Sequence, residues 1–157
     1  MSKQRKITFS KIKLNNISKF KKIIVILLTE NSELSSFSKE INTLTGGLVE
    51  RVLTSSTFAD QKLNSCLMIN FPEGLCTDAI IILKIEKNMT AEKAREAGAN
   101  LSKIVGRRDA IANFKEDPST YEMIFGFLLR EYGFDKHKSK VDEKDISLDF
   151  LVESPPK

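Results

Sequence analysis

The sequence has few of the residues from which catalytic sites and structural cross-links are built. It contains no tryptophan, a single histidine at position 137 and two cysteines, Cys66 and Cys76. Two cysteines cannot form a disulfide framework, so we expect buried free thiols and a reducing compartment. A serine or cysteine nucleophile would have to use His137 as its base, and this histidine lies in a charged stretch with no marked partner.

Motifs that bind metals or phosphates are also missing. His, Cys, Asp and Glu do not cluster at the spacing of metal ligands. Neither G-x-G-x-x-G nor G-x-x-x-x-G-K-[ST] occurs, and Gly46-Gly47 is the only pair of adjacent glycines. We therefore assign no catalytic, cofactor-binding or metal-binding residue to this chain.

No stretch of the sequence is long and apolar enough to cross a membrane. The longest apolar run is Ile23–Leu28, far short of the ~20 residues that a spanning helix needs. Polar residues follow this run, and no small-residue cleavage site of a secretory signal is present. We expect a cytoplasmic protein that does not bind membranes.

Acidic residues are absent from the start of the chain. Eight lysines and arginines precede Glu30, whereas the remainder has 17 basic and 21 acidic residues. The simpler explanation is that these lysines keep an exposed edge strand from pairing with other chains. The alternative is an electrostatic site for DNA or another polyanion over residues 3–22, for which we expect weak, sequence-independent binding.

Strands and helices alternate along the sequence. The predicted strands are 7–14, 23–28, 66–71, 79–83, 110–114 and 146–152. The aliphatic runs 23–28 and 79–83 are typical of inner strands that are buried on both faces, whereas 7–14 is typical of a bulged edge strand. This order predicts a mostly parallel sheet with an antiparallel portion, flanked by helices on both faces.

Helix boundaries are marked by capping residues. Asn31 or Ser32 is predicted to cap a first helix with an apolar stripe over 34–52, which Gly46-Gly47 divides. A second helix is predicted to begin after Thr90 and to end at Gly106, with small residues, including Gly98, packed on the sheet.

The third predicted helix opens with a capping box at 119–122 and ends at Gly133. Its inner face is predicted to carry Tyr121, Ile124, Phe125, Leu128, Leu129 and Tyr132. We expect the segment 133–140 to be architectural, with Phe134 folding back onto the last turn of the helix to aim the final strand.

Two stretches carry a resemblance to a known family. They are I-I-L-K-I-E-K-N-M-T-A-E-K-A-R-E-A-G-A-N-L-S-K-I-V at 81–105 and I-F-G-F-L-L-R-E-Y-G-F-D-K-H-K-S-K at 124–140. Together they resemble the N-terminal domain of the leucyl aminopeptidase (cytosol aminopeptidase) family of metallo-exopeptidases. Phe125 and His137 depart from its pattern, which usually has an acidic residue and an aromatic there. The residues that match are Gly126, Leu128, Leu129, Tyr132, Phe134, Asp135, Lys136, Lys138, Ser139 and Lys140.

The resemblance implies an α/β, macro-domain-like fold with a mixed sheet flanked by helices on both faces. It implies that residues 1–157 are a single non-catalytic N-terminal domain and that 153–157 begin a linker to a catalytic domain outside this chain. That second domain would hold two divalent metals, zinc or manganese, in a homo-hexameric hydrolase that removes N-terminal residues from peptides. The present chain would then serve assembly or regulation, and some members of the family also contact DNA.

Two alternatives of another class stay open. A macro-like module could bind ADP-ribose or a nucleotide, for which Gly46-Gly47 is the only candidate phosphate loop. The basic N-terminus could bind DNA weakly on its own.

Overall fold

The computed structural model describes residues 6–11, 14–29, 33–106, 108–113, 118–136 and 147–152. Six strands form one sheet: β1 Lys6–Lys11, β2 Ile23–Leu28, β3 Cys66–Asn70, β4 Ala79–Lys84, β5 Ala110–Asn113 and β6 Ser147–Val152. The helices are α1 Ser36–Leu44, α2 Leu48–Leu53, α3 Ser56–Asp60, α4 Ala91–Val105, α5 Pro118–Lys136 and a 3₁₀ helix, Leu14–Lys19. No helix within these ranges is long and apolar enough to cross a bilayer.

The strand order of the sheet is β1-β6-β5-β2-β4-β3. All neighbouring strands are parallel except β3, which runs antiparallel to β4. The predictions of a mostly parallel sheet and of inner strands at β2 and β4 are therefore confirmed. Strand β1 lies at an edge, as predicted, but it pairs with β6 without interruption from Lys6 to Lys11. The bulge expected between Phe9 and Ile12 is thus absent up to Lys11, and Ile12 lies outside the described residues.

Both faces of the sheet are covered by helices. Alternate residues of β2 and β4, such as Val25 and Ile81, join a core with α4 and α5. The intervening residues, such as Ile26 and Ile82, join a second core with the 3₁₀ helix and α1 to α3. Because side chains of a strand alternate between faces, an inner strand of this sheet has no polar face, which explains the aliphatic runs.

The first helical region is divided as predicted. Gly46 and Gly47, with φ of +68° and +91°, separate α1 from α2. The cap of α1 is Ser35, whose hydroxyl oxygen accepts a hydrogen bond from the Ser38 amide at 3.2 Å, so the prediction of Asn31 or Ser32 is wrong. The polar stretch 54–64, for which no helix was predicted, contains α3, which buries Phe58 in the second core.

Helix α4 has the predicted ends. Thr90 caps it by accepting a hydrogen bond from the Lys93 amide at 3.2 Å, and Gly106 follows its last residue with φ of +62°. Gly98, however, lies against the backbone of α5 at Met123 and Phe127, not against the sheet. Gly98 therefore allows close contact between two helices, whereas Ala97 joins the core under the sheet.

Helix α5 differs from the prediction at both ends. It begins at Pro118, so Ser119 lies in its first turn and does not cap it. It continues through Gly133 to Lys136, so the expected stop at Gly133 is wrong. A glycine costs a helix only ~1 kcal/mol relative to alanine, which flanking helix-forming residues can offset. Because the helix continues to Lys136, Phe134 does not follow the end of the helix. The reason for expecting Phe134 to fold back onto the last turn therefore no longer applies.

The buried face of α5 agrees with the predicted one only in part, because Ile124 is buried and Leu128 packs against the core as expected, whereas other predicted residues are exposed. Thr120, Met123, Ile124 and Phe127 are buried. By contrast, Tyr121, Phe125 and Leu129 are 44%, 51% and 57% exposed. Since α5 packs against α4 as well as the sheet, its buried stripe is rotated toward α4, and the stripe of Tyr121, Phe125 and Leu129 faces outward.

Candidate functional site

Ligands of open α/β sheets usually bind beyond the carboxyl ends of the strands, so this edge of the sheet is the first place to look for a site. There β4 ends in Lys84, which is only 3% exposed although it follows four aliphatic residues. Lysine is rarely buried unless its ammonium group is paired. The contacts of Lys84 therefore show which chemistry the carboxyl end of β4 can offer a ligand.

The Lys84 ammonium group binds the end of α3. Its Nζ donates to the carbonyl oxygens of Phe58 at 2.7 Å and Ala59 at 3.2 Å, and lies 4.7 Å from the centroid of the Phe58 ring. The last carbonyls of a helix lack intrahelical donors and carry partial negative charge, so a cation is favourable there. Lys84 thus attaches α3 to the end of the sheet through its own side chain.

A second set of polar contacts surrounds the same strand end. The backbone N–H of Asn64 donates to the backbone carbonyl of Lys84 at 2.7 Å. The backbone carbonyl of Asn64 accepts from the side-chain Nδ2 of Asn100 on α4 at 2.8 Å. Nε2 of Gln61 donates to the Ser65 carbonyl at 2.9 Å. The side-chain oxygens of Gln61 and Asn64 are buried without a partner among the described residues, a pattern that an ordered water commonly satisfies.

These residues join α3, β3, β4 and α4, but they do not form a reaction centre. Lysine and amide side chains surround the strand end, with no carboxylate, imidazole or thiol among the contacts above. The nearby Glu86 carboxylate pairs with Lys93 at 2.9 Å and raises the pKa of that lysine. Within the described ranges, no three His, Cys, Asp or Glu residues group as a metal site. The two metals that the resemblance implies therefore do not fit these residues.

The segments that follow the carboxyl ends of the inner strands are poorly suited to phosphate. No glycine occurs in 29–35, 85–90 or 114–117, where five acidic residues accompany two lysines. Phosphate cradles use glycine-rich backbone and positive potential. Gly46-Gly47 lies near the opposite end of the strands, where β4 begins. Gly74, in the turn before β4, packs against the carbonyl of Leu44, and Leu44 stands two residues before this glycine pair.

The two cysteines are unbonded, as predicted. Cys76 is exposed, so the expectation that both are buried is wrong for this residue. Cys66 is half-buried and contacts the core shared by α4 and α5. Burial raises the pKa of its thiol from 9.0 to about 12, which makes it a poor nucleophile.

The basic N-terminal residues lie in two different places. Lys6 and Lys11 belong to edge strand β1, where protection of the edge is a sufficient explanation. Lys19 and Lys21 are exposed before the amino end of β2, away from that strand. Next to them, the Lys22 carbonyl accepts a hydrogen bond from Oγ1 of Thr77 at 2.7 Å. A possible contact with polyanions thus concerns the second group. His137 lies outside the described residues.

Comparison with known proteins completes this description. No family model matches the chain. A probable cytosol aminopeptidase of Dinoroseobacter shibae is 32% identical over 120 residues, which cover 76% of this chain and 25% of that protein. The chain is related to the cytosol aminopeptidases. A second relative, from Cereibacter sphaeroides, is 27% identical over 116 residues, covering 74% of this chain and 24% of that protein.

The resemblance read from the sequence is therefore confirmed, and the chain spans about a quarter of the length of the curated relatives it matches. Solved structures define the fold. The macrodomain of Mycobacterium tuberculosis DarG aligns with a TM-score of 0.63 over 98% of this chain and 99% of that chain, at 5% identity. The macro domain of ganglioside induced differentiation associated protein 2 gives 0.57 over 95% and 77%, at 13% identity. The predicted macro-domain-like fold is confirmed.

Proposed function

We propose that this chain is the non-catalytic N-terminal domain of a cytosol aminopeptidase, and that it serves the assembly or regulation of that enzyme. The similarity to about a quarter of two probable cytosol aminopeptidases supports this proposal most directly. Residues 1–157 then form one domain, and 153–157 lead toward the catalytic part.

The whole protein would be a cytoplasmic homo-hexamer that removes N-terminal residues from peptides. Its catalytic part would hold two divalent metals, zinc or manganese, whose chemistry is activation of the hydrolytic water. The described residues of this chain contribute no ligand set to these metals. Their contribution is instead a rigid sheet with exposed helical surfaces.

One of these surfaces suits contact with the catalytic part. Tyr121, Phe125 and Leu129 follow one another at four-residue spacing on α5 and are all exposed. Residues four apart share a helix face, so the three side chains form an apolar stripe on the outside of the domain. Contiguous exposed apolar surface of this kind commonly marks an interface.

The first experiment tests whether hydrolysis is performed outside this chain. The purified chain, freed of host peptidases, is offered leucine p-nitroanilide with added manganese or zinc, and we expect no hydrolysis. In the whole protein, deletion of residues 1–157 should preserve metal binding and alter oligomeric state or regulation. Turnover by the isolated chain would contradict the proposal, as would an enzyme whose assembly and kinetics are unchanged by the deletion.

The second experiment tests the α5 stripe in the whole protein. Phe125→Asp places a charge in the proposed contact and should weaken assembly or loosen the domain, measured by sedimentation and limited proteolysis. Glu96→Ala, an exposed position on α4, is the matched control and should have no effect. Equal behaviour of the two variants would remove the stripe from the proposed interface.

Binding of ADP-ribose or a nucleotide is a second candidate, and the macrodomain fold is the observation that favours it. The glycine-free, acidic segments after the strands argue against it. Titration calorimetry with ADP-ribose should show no binding tighter than roughly 1 mM. Saturable micromolar binding would make this candidate the better one.

Weak DNA binding is a third candidate, supported by the exposed Lys19 and Lys21. We expect any binding to be independent of sequence and to disappear at moderate salt, since it would rest on few phosphate contacts. Changing Lys19, Lys21 and Lys22 to Gln should abolish it in a fluorescence-anisotropy titration. Tight binding that survives this change at physiological salt would refute this account.

A further inference from the structure

Strand β3 has an open edge whose composition differs from that of the other edge strand. Among the described strands, β3 pairs only with β4. Natural proteins protect exposed edges with charges, above all lysine. Strand β1, K-I-T-F-S-K, has a lysine at each end, whereas β3, C-L-M-I-N, has no charge at all. The edge at β3 is thus open to pairing with another strand.

The hydrogen bonds to β4 show which backbone groups of β3 face this open edge. The Phe71 amide donates to the Asp78 carbonyl at 2.7 Å, and the Lys84 amide donates to the Ser65 carbonyl at 3.1 Å. In an antiparallel ladder, residues alternate between directing both backbone groups to one neighbour and directing both to the other side. Residues 67 and 69 therefore face β4, and Cys66, Met68 and Asn70 direct their N–H and C=O groups outward.

Exposed apolar side chains accompany these backbone groups. Met68 in the middle of β3 is 40% exposed, and its sulfur accepts a contact from Nη2 of Arg108 at 3.9 Å. Leu63 before the strand is 47% exposed, and Phe71 after it is 77% exposed. Phe71 also has a φ of +51°, in the left-handed region that a bulky side chain rarely adopts. Such backbone strain persists only where the surrounding structure holds it, and it often marks a functional position.

We propose that β3 pairs antiparallel with β3 of a second copy of this chain, about a two-fold axis beside Met68. Met68 then lies opposite its own counterpart, and Cys66 lies opposite Asn70 of the second copy. The outward N–H and C=O groups of these residues satisfy one another, and the two sheets become continuous. This one interface gives β3 of each copy a second hydrogen-bonded neighbour.

Charge at the two ends of the strand favours a second copy as the occupant. Lys62 precedes β3 and Glu73 follows it, and both are exposed. Antiparallel pairing centred on Met68 brings Lys62 of one copy to the end that carries Glu73 of the other, and the symmetry repeats this contact. An unrelated extended peptide would satisfy the backbone equally well, but the chain itself supplies the opposite charges in the required order.

The main experiment measures the mass of the purified chain by sedimentation equilibrium over a range of concentrations. We expect a concentration-dependent dimer that Met68→Lys weakens at least tenfold, because the substitution places two lysines opposite each other. Thr43→Lys is the matched control, since Thr43 is exposed on α1 and lies outside both β3 and the α5 stripe, and it should leave the dimer unchanged. Far-ultraviolet circular dichroism checks that both variants are folded.

A cross-linking experiment tests the register independently. In a Cys76→Ser background, which removes the exposed native thiol, Met68→Cys should form a covalent dimer under mild oxidation much faster than Thr43→Cys. A monomer at all concentrations up to roughly 1 mM would overturn the proposal. So would a dimer that is insensitive to Met68→Lys. The proposal would also be overturned if hydrogen exchange of the Met68 amide became slow only after a peptide was added, because the β3 edge would then bind a peptide and not a second copy.

Discussion

Gly98 of α4 and Gly126 of α5 each lie directly against the backbone of the opposite helix. A methyl group on Gly98 would overlap the carbonyl oxygen of Met123 and lie 2.9 Å from the Phe127 nitrogen. A methyl group on Gly126 would overlap the carbonyl oxygen of Arg95 and lie 2.6 Å from the Arg95 Cα. These obstacles are backbone atoms, which cannot rotate aside as a side chain can. The two glycines therefore set how closely α4 and α5 approach.

We expect Gly98→Ala and Gly126→Ala each to lower the free energy of unfolding by about 1–3 kcal/mol, the usual cost of overpacking a well-filled core. The loss should appear although alanine is intrinsically ~1 kcal/mol better than glycine inside a helix. Urea unfolding measures it, and Glu96→Ala on the exposed side of α4 should stay within ~0.5 kcal/mol of the wild type. Neutral or stabilised glycine variants would show that the helices are farther apart.

The orientation of α5 leads to a second prediction, which compares two adjacent residues. Ile124 is 9% exposed and Phe125 is 51% exposed. Ile124→Ala should cost about 2–5 kcal/mol of unfolding free energy, and Phe125→Ala in the isolated chain should cost clearly less, because its ring already contacts solvent. Chemical denaturation of the two variants under identical conditions checks this. A larger loss for Phe125→Ala would mean that Phe125 belongs to the buried face, as the sequence predicts.

Lys84 provides a third prediction. Lys84→Met keeps most of the side-chain volume but leaves the carbonyls of Phe58 and Ala59 without this donor. Loss of a buried partner costs about 1–3 kcal/mol, so the variant should unfold at a lower urea concentration. Faster amide exchange in α3 should accompany the loss. Lys87→Met, at an exposed position three residues later, is the control and should be close to neutral. An unchanged α3 in Lys84→Met would mean that the lysine does not hold this helix.

The Cys66 thiol makes stability depend on alkaline pH. Burial raises its pKa in the folded state from 9.0 to about 12, so the folded protein binds this proton more tightly than the unfolded chain. The corresponding stability is fully present below pH 9.0 and is lost as the pH rises toward about 12. We expect Cys66→Ala to flatten this part of a stability profile and Cys76→Ala to leave it unchanged. Identical slopes for Cys66→Ala and the wild type would contradict the assignment.

The sequence was most informative where structure depends on near neighbours in the chain. Strands β2 and β4 could be predicted because a strand covered on both faces needs an unbroken aliphatic run. The ends of α4 could be predicted because Thr90 and Gly106 cap it locally. The face of α5 could be predicted only in part, since its position relative to α4 depends on Gly98 and Gly126, which are distant in sequence.

The buried polar contacts at the end of β4 were also hidden in the sequence. The predicted strand stops at residue 83, before Lys84, and the carbonyls that receive the Lys84 hydrogen bonds lie about 25 residues earlier in the chain. The signal that could have revealed it is the position itself, since a lysine that continues the alternation of a doubly covered strand must enter one of the two cores. Asn64 and Gln61 gave no such signal, because polar residues in a connection are ordinarily solvated.

The pairing of β1 with β6 has a consequence for how the protein is made. Strand β1 is the first described strand to leave the ribosome, yet its partner, Ser147–Val152, is the last. Strands β2, β3, β4 and β5 all lie between residues 23 and 113 and can assemble while synthesis continues. Closing so long a loop is entropically costly and slow, so β1 waits as an unpaired segment until translation of β6 is complete. The lysines of β1 then protect a nascent chain as well as a finished edge.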